Sequence, residues 1–545
     1  MNSFNQDLVV AALLRSCPEV LPDFLRSRRW FAGKAKTIRA IDILDVVPIE
    51  VGKLGNYLVL AKVAYSSGPA EIYDIPLALV TTNLSSEASE LSPRLKIPLA
   101  DSDHHIEFKD ALWNAEFLDV LLEAIAHNRW FPGASGQVRT RAGKSLPEVW
   151  GASRDRLAPV LNRGEQSNSS VIYGKQLILK LFRRIESGIN PDIEMGSFLT
   201  ERTSFRNIAS VTGGLQYVSV DGVEISLGIL QAFVANRGDA WEFTLQKLAE
   251  YYHTADLSPA GDSPYSVQHG VVECAQHPIP PEAHRRIGEY LDWAELLGRR
   301  TAELHLALAS TTDDPDFRPE PFTEADRHEF AEAAEHLLRS TFQTLRDQGS
   351  VLPADLRQQA EGILQQEGEL RRRLSAFKHQ PISAQCTRVH GDYHLGQVLF
   401  TGEDFVIIDF EGEPSRPLAE RRKKRSPLQD VAGMLRSFHY AAYAQLLRPE
   451  DTSAAQAERV KRLGSWASYW QKWVSVAFLR KYLEVAGEAC FIPRNRAEFT
   501  LMLDVYLLDK AVYELGYELN NRPTWVRTPL DGISQLVKNP TWPVP

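Results

Sequence analysis

The chain has 545 residues, a hydrophobic fraction of 44%, a charged fraction of 24% and a net charge of −9. That length calls for roughly two or three domains, the composition is that of an ordinary globular protein, and the acidic balance excludes nonspecific nucleic-acid binding through a basic surface. Four scattered cysteines, Cys17, Cys274, Cys386 and Cys490, form no Cys-x-x-Cys pair; this excludes a zinc module or disulfide scaffold and predicts a reducing, cytoplasmic setting. The chain does not open with a basic segment and apolar core, and no run approaches about 18 apolar residues, so neither secretion nor a membrane span is expected.

In chain order, residues 8–14 and 20–25 read as short helices around Pro18, and residues 57–65 and 75–80 as strands. The polar segment 81–92 reads as a long loop or boundary. Arg29-Trp30-Phe31-Ala32-Gly33 recurs as Arg129-Trp130-Phe131-Pro132-Gly133, but the match stops there and does not make a repeat. A helix is expected over 111–127, with Leu118, Leu121, Leu122 and Ile125 on one face and Asp110 as its cap.

From Ser167 the pattern turns to strands. Residues 170–173 and 176–182 flank Gly174-Lys175, a tight hairpin. The small polar residues ahead of it, Ser167, Asn168 and Ser169, can lay backbone N–H groups and hydroxyls on phosphates. Lys180 interrupts the apolar run 177–182, a costly place for an ammonium without a partner. Asn190-Pro191 starts a helix by the cap-then-proline rule, so Glu194 in its first turns is the expected partner, with Glu201 next in line. A strand lysine oriented by a helix glutamate is how kinases touch nucleotide phosphates; a snorkelling edge-strand lysine is the competing reading. Strands over 215–220 and 223–234 follow. The second carries Gln231 and Phe233 and runs out into Asn236-Arg237-Gly238-Asp239, which suits a hinge whose backbone groups read an adenine edge, or a plain strand exit. Beyond it the pattern is helical, over 240–252, 283–309, 325–347 and 354–377, then 430–447, 464–485 and 496–519, with a loop at 254–281.

One β interruption lies in that helical half. Residues 388–413 hold His390-Gly391-Asp392, then Gln397, two short apolar runs (398–400 and 405–408) around a Thr-Gly-Glu-Asp turn, and Asp409 at the end of the second run. Phosphoryl transfer needs this set: one carboxylate, Asp392, to accept the proton of the attacking hydroxyl, and a carboxylate and an amide oxygen, Asp409 and Gln397, to hold magnesium on the nucleotide phosphates. A buried hairpin whose acids merely cap turns is the competing reading. The element order predicts an α+β, bilobal protein-kinase-like fold with a small β-rich N-lobe, a large mostly helical C-lobe and an extra N-terminal cap. The expected divisions are a cap over 1–100, an intermediate segment and N-lobe over 101–235, and a C-lobe with the catalytic hairpin over 236–545.

His390-Gly391-Asp392 with Gln397 and Asp409 resembles the aminoglycoside phosphotransferase-like kinases. HGDYHLGQVL (390–399), IDFEGEP (408–414), RPLAE (416–420), SPLQDVAGMLRSF (426–438) and ELNNR (518–522) with Trp525 resemble, more narrowly, the bacterial maltokinases, including the kinase module fused to some trehalose synthases. RWFAGK (29–34) resembles that family's cap. The wider kinase pattern has Asn for Gln397 and Phe-Gly for Phe410-Glu411; both departures fit the maltokinase branch.

The resemblance implies an enzyme using ATP and Mg2+ to phosphorylate the anomeric hydroxyl of maltose, giving maltose 1-phosphate for α-glucan (glycogen) synthesis, with trehalose synthase as a candidate associate. It implies Asp392 as base, Gln397 and Asp409 as magnesium ligands, and Lys180 with Glu194 at the α/β-phosphates. For the sugar, Glu411 and Glu413 project beyond Asp409, Arg421 opens a basic run (421–425) that also reads as a solvated loop, and His305 is either a contact or a core histidine. Tyr513 and Glu514 offer an aromatic face and a carboxylate, or a packing role shared with Tyr506 and Tyr517. Two rivals remain: a kinase for an amino sugar such as glucosamine, and a silent module docking on trehalose synthase, against which the retained base, metal ligands and lysine argue. A protein kinase is disfavoured, since no Ala-Pro-Glu segment follows Asp409.

Overall fold

The computed structural model describes residues 6–51, 54–80, 94–98, 105–151, 156–162, 167–257, 264, 269–446 and 454–538. The expected loop over 81–92 lies outside these, as do residues 258–263 and 265–268 of the one expected over 254–281. The chain divides into two compact units, Met1–Arg202 with Ile208–Ala235, and Thr203–Asn207 with Asn236–Pro545. Among the described residues no helix is long and apolar enough to cross a membrane.

The first unit opens with helix α1 (Gln6–Arg26). Pro18 was expected to split it, yet the helix runs through both Pro18 and Pro22. A proline removes one i→i−4 hydrogen bond and strains the preceding turn; packing offsets this, because Leu13, Cys17, Leu21, Phe24 and Leu25 are buried against the sheet that follows. That sheet contains β1 (Ile38–Val51), β2 (Leu54–Tyr65), β3 (Glu71–Leu79), β4 (Leu95–Pro98) and β5 (His105–Asp110), in the antiparallel order β1-β2-β3-β5-β4. The expected boundary at residue 100 thus falls between two paired strands, and this sheet reaches Asp110. Asp110 caps only a 3-10 turn, accepting from Leu112 N at 3.1 Å; Asn114 caps the helix itself, α2 (Ala115–Ala126), accepting from Glu116 N at 3.1 Å.

The second sheet follows, with β6 (Trp130–Pro132), β7 (Gly136–Ala142), then α3 (Leu146–Trp150), β8 (Pro159–Asn162), β9 (Asn168–Tyr173) and β10 (Leu177–Phe182). After β11 (Arg184–Ile185), which pairs with β3 of the first sheet, and α4 (Pro191–Arg202), it is completed by β12 (Val211–Ser219) and β13 (Glu224–Ala232). Its order is β6-β7-β12-β13-β10-β9-β8. Gly174 and Lys175 sit at φ +55° and +56°, the pair of left-handed residues that a type I′ hairpin requires. The two Arg-Trp-Phe segments differ in structure. Trp30 is buried under the Arg183 guanidinium, 4.7 Å from its ring centre, whereas Trp130 is 64% exposed on the edge strand β6. They are not copies of one element.

In the second unit the helices are α5 (Ala240–Asp256), α6 (Val271–Cys274), α7 (Pro281–Ile287), α8 (Tyr290–Leu308), α9 (Glu324–Gln348), α10 (Ala354–Leu364) and α11 (Glu367–His379). After the short pair β14 (Glu320–Pro321) and β15 (Gln385–Cys386) comes the hairpin β16 (Val398–Phe400) and β17 (Phe405–Ile407). Helices α12 (Leu418–Arg421), α13 (Leu428–Ala444), α14 (Ala454–Ala486), α15 (Arg496–Asn521) and α16 (Arg527–Lys538) complete it. The helix expected over 283–309 is broken at Gly288, whose φ of +74° ends α7 in the left-handed conformation that glycine adopts without strain. The one expected over 354–377 is likewise two helices, α10 and α11.

The hairpin is held from three sides within this unit. Phe243, Trp293, Phe400 and Phe405 form one aromatic cluster, with Phe243 and Phe400 stacked at 4.0 Å between ring centres. Arg300 on α8 grips the turn residue Asp404 with two bonds, of 2.8 and 2.7 Å. The connecting segments pair along its edges: Asp239 with Leu399, and Asn207, whose carbonyl accepts from Ile407 N at 2.8 Å.

Candidate active site

In the first unit Lys180 lies on β10, between β9 and β13, opposite Ser170 and Ile229. It is therefore not an edge-strand lysine. Its side chain is 13% exposed, and Asp192 Oδ2 stands 3.4 Å from Nζ. The carboxylate recorded at this lysine is thus Asp192, two residues before the expected Glu194, while Glu201 faces Lys144 at 3.1 Å. Asn190 caps α4 through Asp192 N (2.9 Å), and Asp192 shares the buried face of α4 with Met195, Gly196 and Leu199.

The expected phosphate loop is largely strand. Asn168 and Ser169 begin β9, paired with Phe182 and Leu181, and Ser169 Oγ accepts from Arg183 Nε at 2.8 Å; only Ser167 stands exposed ahead of the strand. Gln231 pairs on both sides within the sheet, and Phe233 N donates to Gln176 O at 2.8 Å, so that N–H is committed and not a donor to a base edge.

In the second unit the loop carrying Asp392 is fixed by a residue that sequence reading gave no role. Asp430, in the first turn of α13 and 1% exposed, accepts from His390 N (2.8 Å) through Oδ2 and from Gly391 N (2.9 Å) through Oδ1. Burial pushes the Asp430 carboxyl up, but His305, His390 and the backbone donors outweigh it and hold the group below the ordinary carboxylate range. His305 is the residue behind it. It is fully buried, with Nε2 3.1 Å from Asp430 Oδ2 and Nδ1 2.9 Å from Tyr482 OH, which makes it a core histidine and corrects its expected role as a sugar contact. His390 Nδ1 faces Asp392 N at 3.4 Å and Nε2 faces Ile408 O at 2.9 Å, so the ring joins the loop to the residue that leads from β17 into Asp409.

Gln397 closes a 3-10 turn after His394, and its carbonyl accepts from Ile408 N at 3.0 Å. The hairpin register, Val398 opposite Ile407, thereby sets Gln397 and Asp409 at the same end. Asp409 has φ +67°, a strained conformation for a residue other than glycine, and Gly412 turns the chain back at φ +69°. A carboxylate oxygen of Asp409 comes within 4.8 Å of one on Glu411. Two carboxylates so close suit a hard divalent cation, and Gln397, in the turn just before β16, is the candidate amide donor at the same end of the hairpin.

Arg421 spends its guanidinium on backbone, donating to Glu411 O and Arg416 O at 3.1 Å each, so it positions the Glu411 turn. Glu413 accepts from Ser415 Oγ and Arg416 Nε, both at 2.8 Å. Burial pushes Glu413 up, and Arg416, Ser415 and Lys510 more than offset it, leaving it below its ordinary value. Tyr513 lines a cavity of about 40 Å³ together with Asp392, Glu413, Asp509 and Lys510. Lys510, also unassigned from sequence, stands 3.6 Å from Asp392 Oδ1, with its Nζ 5.2 Å from the Tyr513 ring centre. Burial raises Asp509 to about 6, against the pull of Arg416 and Lys510. Glu514 does not face this cavity. It is held by two bonds, of 2.9 and 2.6 Å, from the buried Arg436, which corrects its expected pairing with Tyr513 at a sugar. A cavity of this size holds about one water.

Residues 24–101 match the maltokinase N-terminal cap domain, and residues 259–438 match the phosphotransferase enzyme family. A glucosamine kinase of Mycolicibacterium smegmatis is 24% identical over 384 residues, covering 69% of this chain and 79% of its own. Among solved structures, a glucosamine kinase in complex with glucosamine, ADP and inorganic phosphate superposes with a TM-score of 0.60 at 16% identity, covering 97% of this chain and 99% of its own. Crystal form B of glucosamine kinase gives 0.61 at 17% identity over 97% and 99%. These structural likenesses fix the fold as that of the glucosamine kinases, and the two family models place a maltokinase-type cap over 24–101 and a phosphotransferase-type segment over 259–438.

Proposed function

We propose that this chain, in which a maltokinase N-terminal cap domain precedes a domain of the phosphotransferase enzyme family, is an ATP-dependent kinase for the anomeric hydroxyl of maltose. The observation that carries the reading is the pinned loop. Asp430 fixes His390 and Gly391, and so presents Asp392 to a cavity lined by Lys510, Glu413 and Tyr513. Asp392 accepts a hydrogen bond from the sugar hydroxyl and aims its oxygen at the γ-phosphate; a loose transition state asks for orientation more than for a strong base. Lys510 steadies that carboxylate by charge. Gln397, Asp409 and Glu411 supply the oxygens for magnesium, which when bound neutralises the nucleotide phosphates. Lys180, oriented by Asp192, is assigned the α/β-phosphates.

The ammonium of Lys510 beside Asp392 favours a neutral acceptor over a cationic amino sugar, since like charges facing one cavity repel. The second reading, a glucosamine kinase, draws on the two acids Glu413 and Asp509 in the same lining and on the curated relative of that name. A coupled ADP-release assay with maltose, glucose, trehalose, glucosamine and no sugar separates them. Maltose-dependent turnover abolished by EDTA is expected; turnover with glucosamine alone would transfer the assignment to the second reading.

A further inference from the structure

Helix α15 borders two cavities. Asp509, Lys510 and Tyr513 line the small one at Asp392, whereas Thr500, Leu503, Asp504 and Leu507 line a separate cavity of about 890 Å³. At about 100° per residue the two sets occupy helix faces about 120° apart. Helix α13 repeats the division: Gln429, Asp430 and Gly433 face the small cavity, and Leu435 and Arg436 the large one. The described linings share no residue. Helices α6, α14 and α16 supply the other walls of the large cavity.

The volume lies within the range of small-molecule sites, and cations outnumber acids in its lining. Arg436, Lys472, Arg496 and Lys538 line it against Glu273 and Asp504; Glu514 already pairs with Arg436, which leaves three cations facing two acids. Arg436 forms the floor, 5% exposed, with its guanidinium packed directly against Gly532. Arg496 and Lys538 are exposed at the rim, and Lys472 lies half-buried between. Hydroxyls of Ser465, Ser468, Tyr469 and Thr500 intersperse the cations. An excess of cations asks for an anion, and the hydroxyls ask for a ligand rich in donors and acceptors.

We propose that this cavity is an accessory site for a phosphorylated sugar, coupled to catalysis through α13 and α15. The choice of ligand rests on the sugar-kinase reading; the site itself does not. Occupancy presses on the two helices that carry Asp430 and Lys510, so it reaches Asp392 through elements already in contact with both cavities. The reaction's own sugar 1-phosphate and a sugar phosphate from elsewhere in metabolism share this chemistry.

The test is calorimetric titration of the full chain, without nucleotide, with maltose 1-phosphate, glucose 1-phosphate, glucose 6-phosphate, maltose and inorganic phosphate. Proteins compared are wild type, Asp392→Asn, Lys472→Gln/Arg496→Gln, and Ser465→Trp to fill the cavity. Saturable binding of at least one sugar phosphate to wild type and Asp392→Asn is expected, weakened at least tenfold in the double variant and in Ser465→Trp. Both of those variants should retain turnover within twofold of wild type when no sugar phosphate is added. The ester that binds most tightly identifies the source. Binding that survives both cavity variants, or that maltose or inorganic phosphate matches, overturns the proposal. Failure of the sugar-kinase reading would show instead as no ADP release from wild type with any sugar, a readout this titration does not use.

Discussion

Replacing Asp430 by Asn isolates the device that presents Asp392. The carboxylate accepts from His390 N at 2.8 Å and Gly391 N at 2.9 Å, and faces His305 at 3.1 Å, all out of solvent. An amide keeps one acceptor oxygen and turns an NH2 toward a backbone N–H. One charge-assisted bond is lost, at about 1.5–3 kcal/mol, and a buried donor is left unsatisfied, at about 1–3 kcal/mol. The expected loss of folding stability is therefore about 2.5–6 kcal/mol, a large share of a typical domain's total. Part of that appears in turnover, because the freed loop carries Asp392 one residue past Gly391. A misplaced base at about 1.4–2.8 kcal/mol corresponds to about 10- to 100-fold in kcat. Urea unfolding and coupled ADP release on the same preparation measure both. A pH series adds a sign. The depressed carboxyl of wild type contributes stability above the ordinary carboxylate range and loses it as pH falls through the folded value, and the variant lacks that dependence. An Asp430→Asn protein with wild-type midpoint and wild-type turnover would refute the reasoning.

Two further outcomes are expected. Lys180→Met should weaken ADP binding by about tenfold or more, the worth of a charge-assisted hydrogen bond, while leaving the sugar KM near wild type; an unchanged ADP Kd by calorimetry would remove Lys180 from the phosphate site. Asp74 in β3 is fully buried, neither carboxylate oxygen has a hydrogen-bond partner among the described residues, and burial raises it to about 7. The neutral acid is favoured in the fold, so its stabilising effect is complete below about pH 4 and lost as pH rises toward 7. Asp74→Asn should match wild type in unfolding free energy near pH 4 and exceed it by on the order of 3–4 kcal/mol at pH 8; equal stabilities at pH 8 would contradict this.

What the sequence disclosed was local. Gln397 and Asp409 flank one short hairpin whose turn and apolar runs set its register, and Asp392 lies in the loop just before it, so their order along the chain reports that they gather at one end of the hairpin. Lys180 was legible as a buried charge in an apolar run, but its carboxylate was not. Asp192 and Glu194 are two residues apart, about 200° around a helix, and the burial of Met195, Gly196 and Leu199, with Gly196 against Val211 of β12, decides that Asp192 lies on the inner face. The spacing of Asp192 from those residues was a usable signal. Asp430 gave a weaker one, an acid at the head of a helix that is otherwise buried through Val431–Phe438. Pairings across long separations were not legible: His305 with Asp430, Glu514 with Arg436, and Lys510 with Asp392 all depend on how helices distant in sequence cross. Helix breaks followed backbone conformation more than composition. Gly288 broke a continuous pattern, and two prolines did not break α1.

The central claim is that Asp392 orients the acceptor hydroxyl. Turnover of Asp392→Asn, measured with saturating maltose and ATP alongside its affinity for ADP, tests that claim most directly. A fall in kcat of about 10²–10⁴, the usual worth of a positioned base, with ADP affinity within twofold of wild type, is the predicted result. Near-normal turnover in that variant would contradict the account.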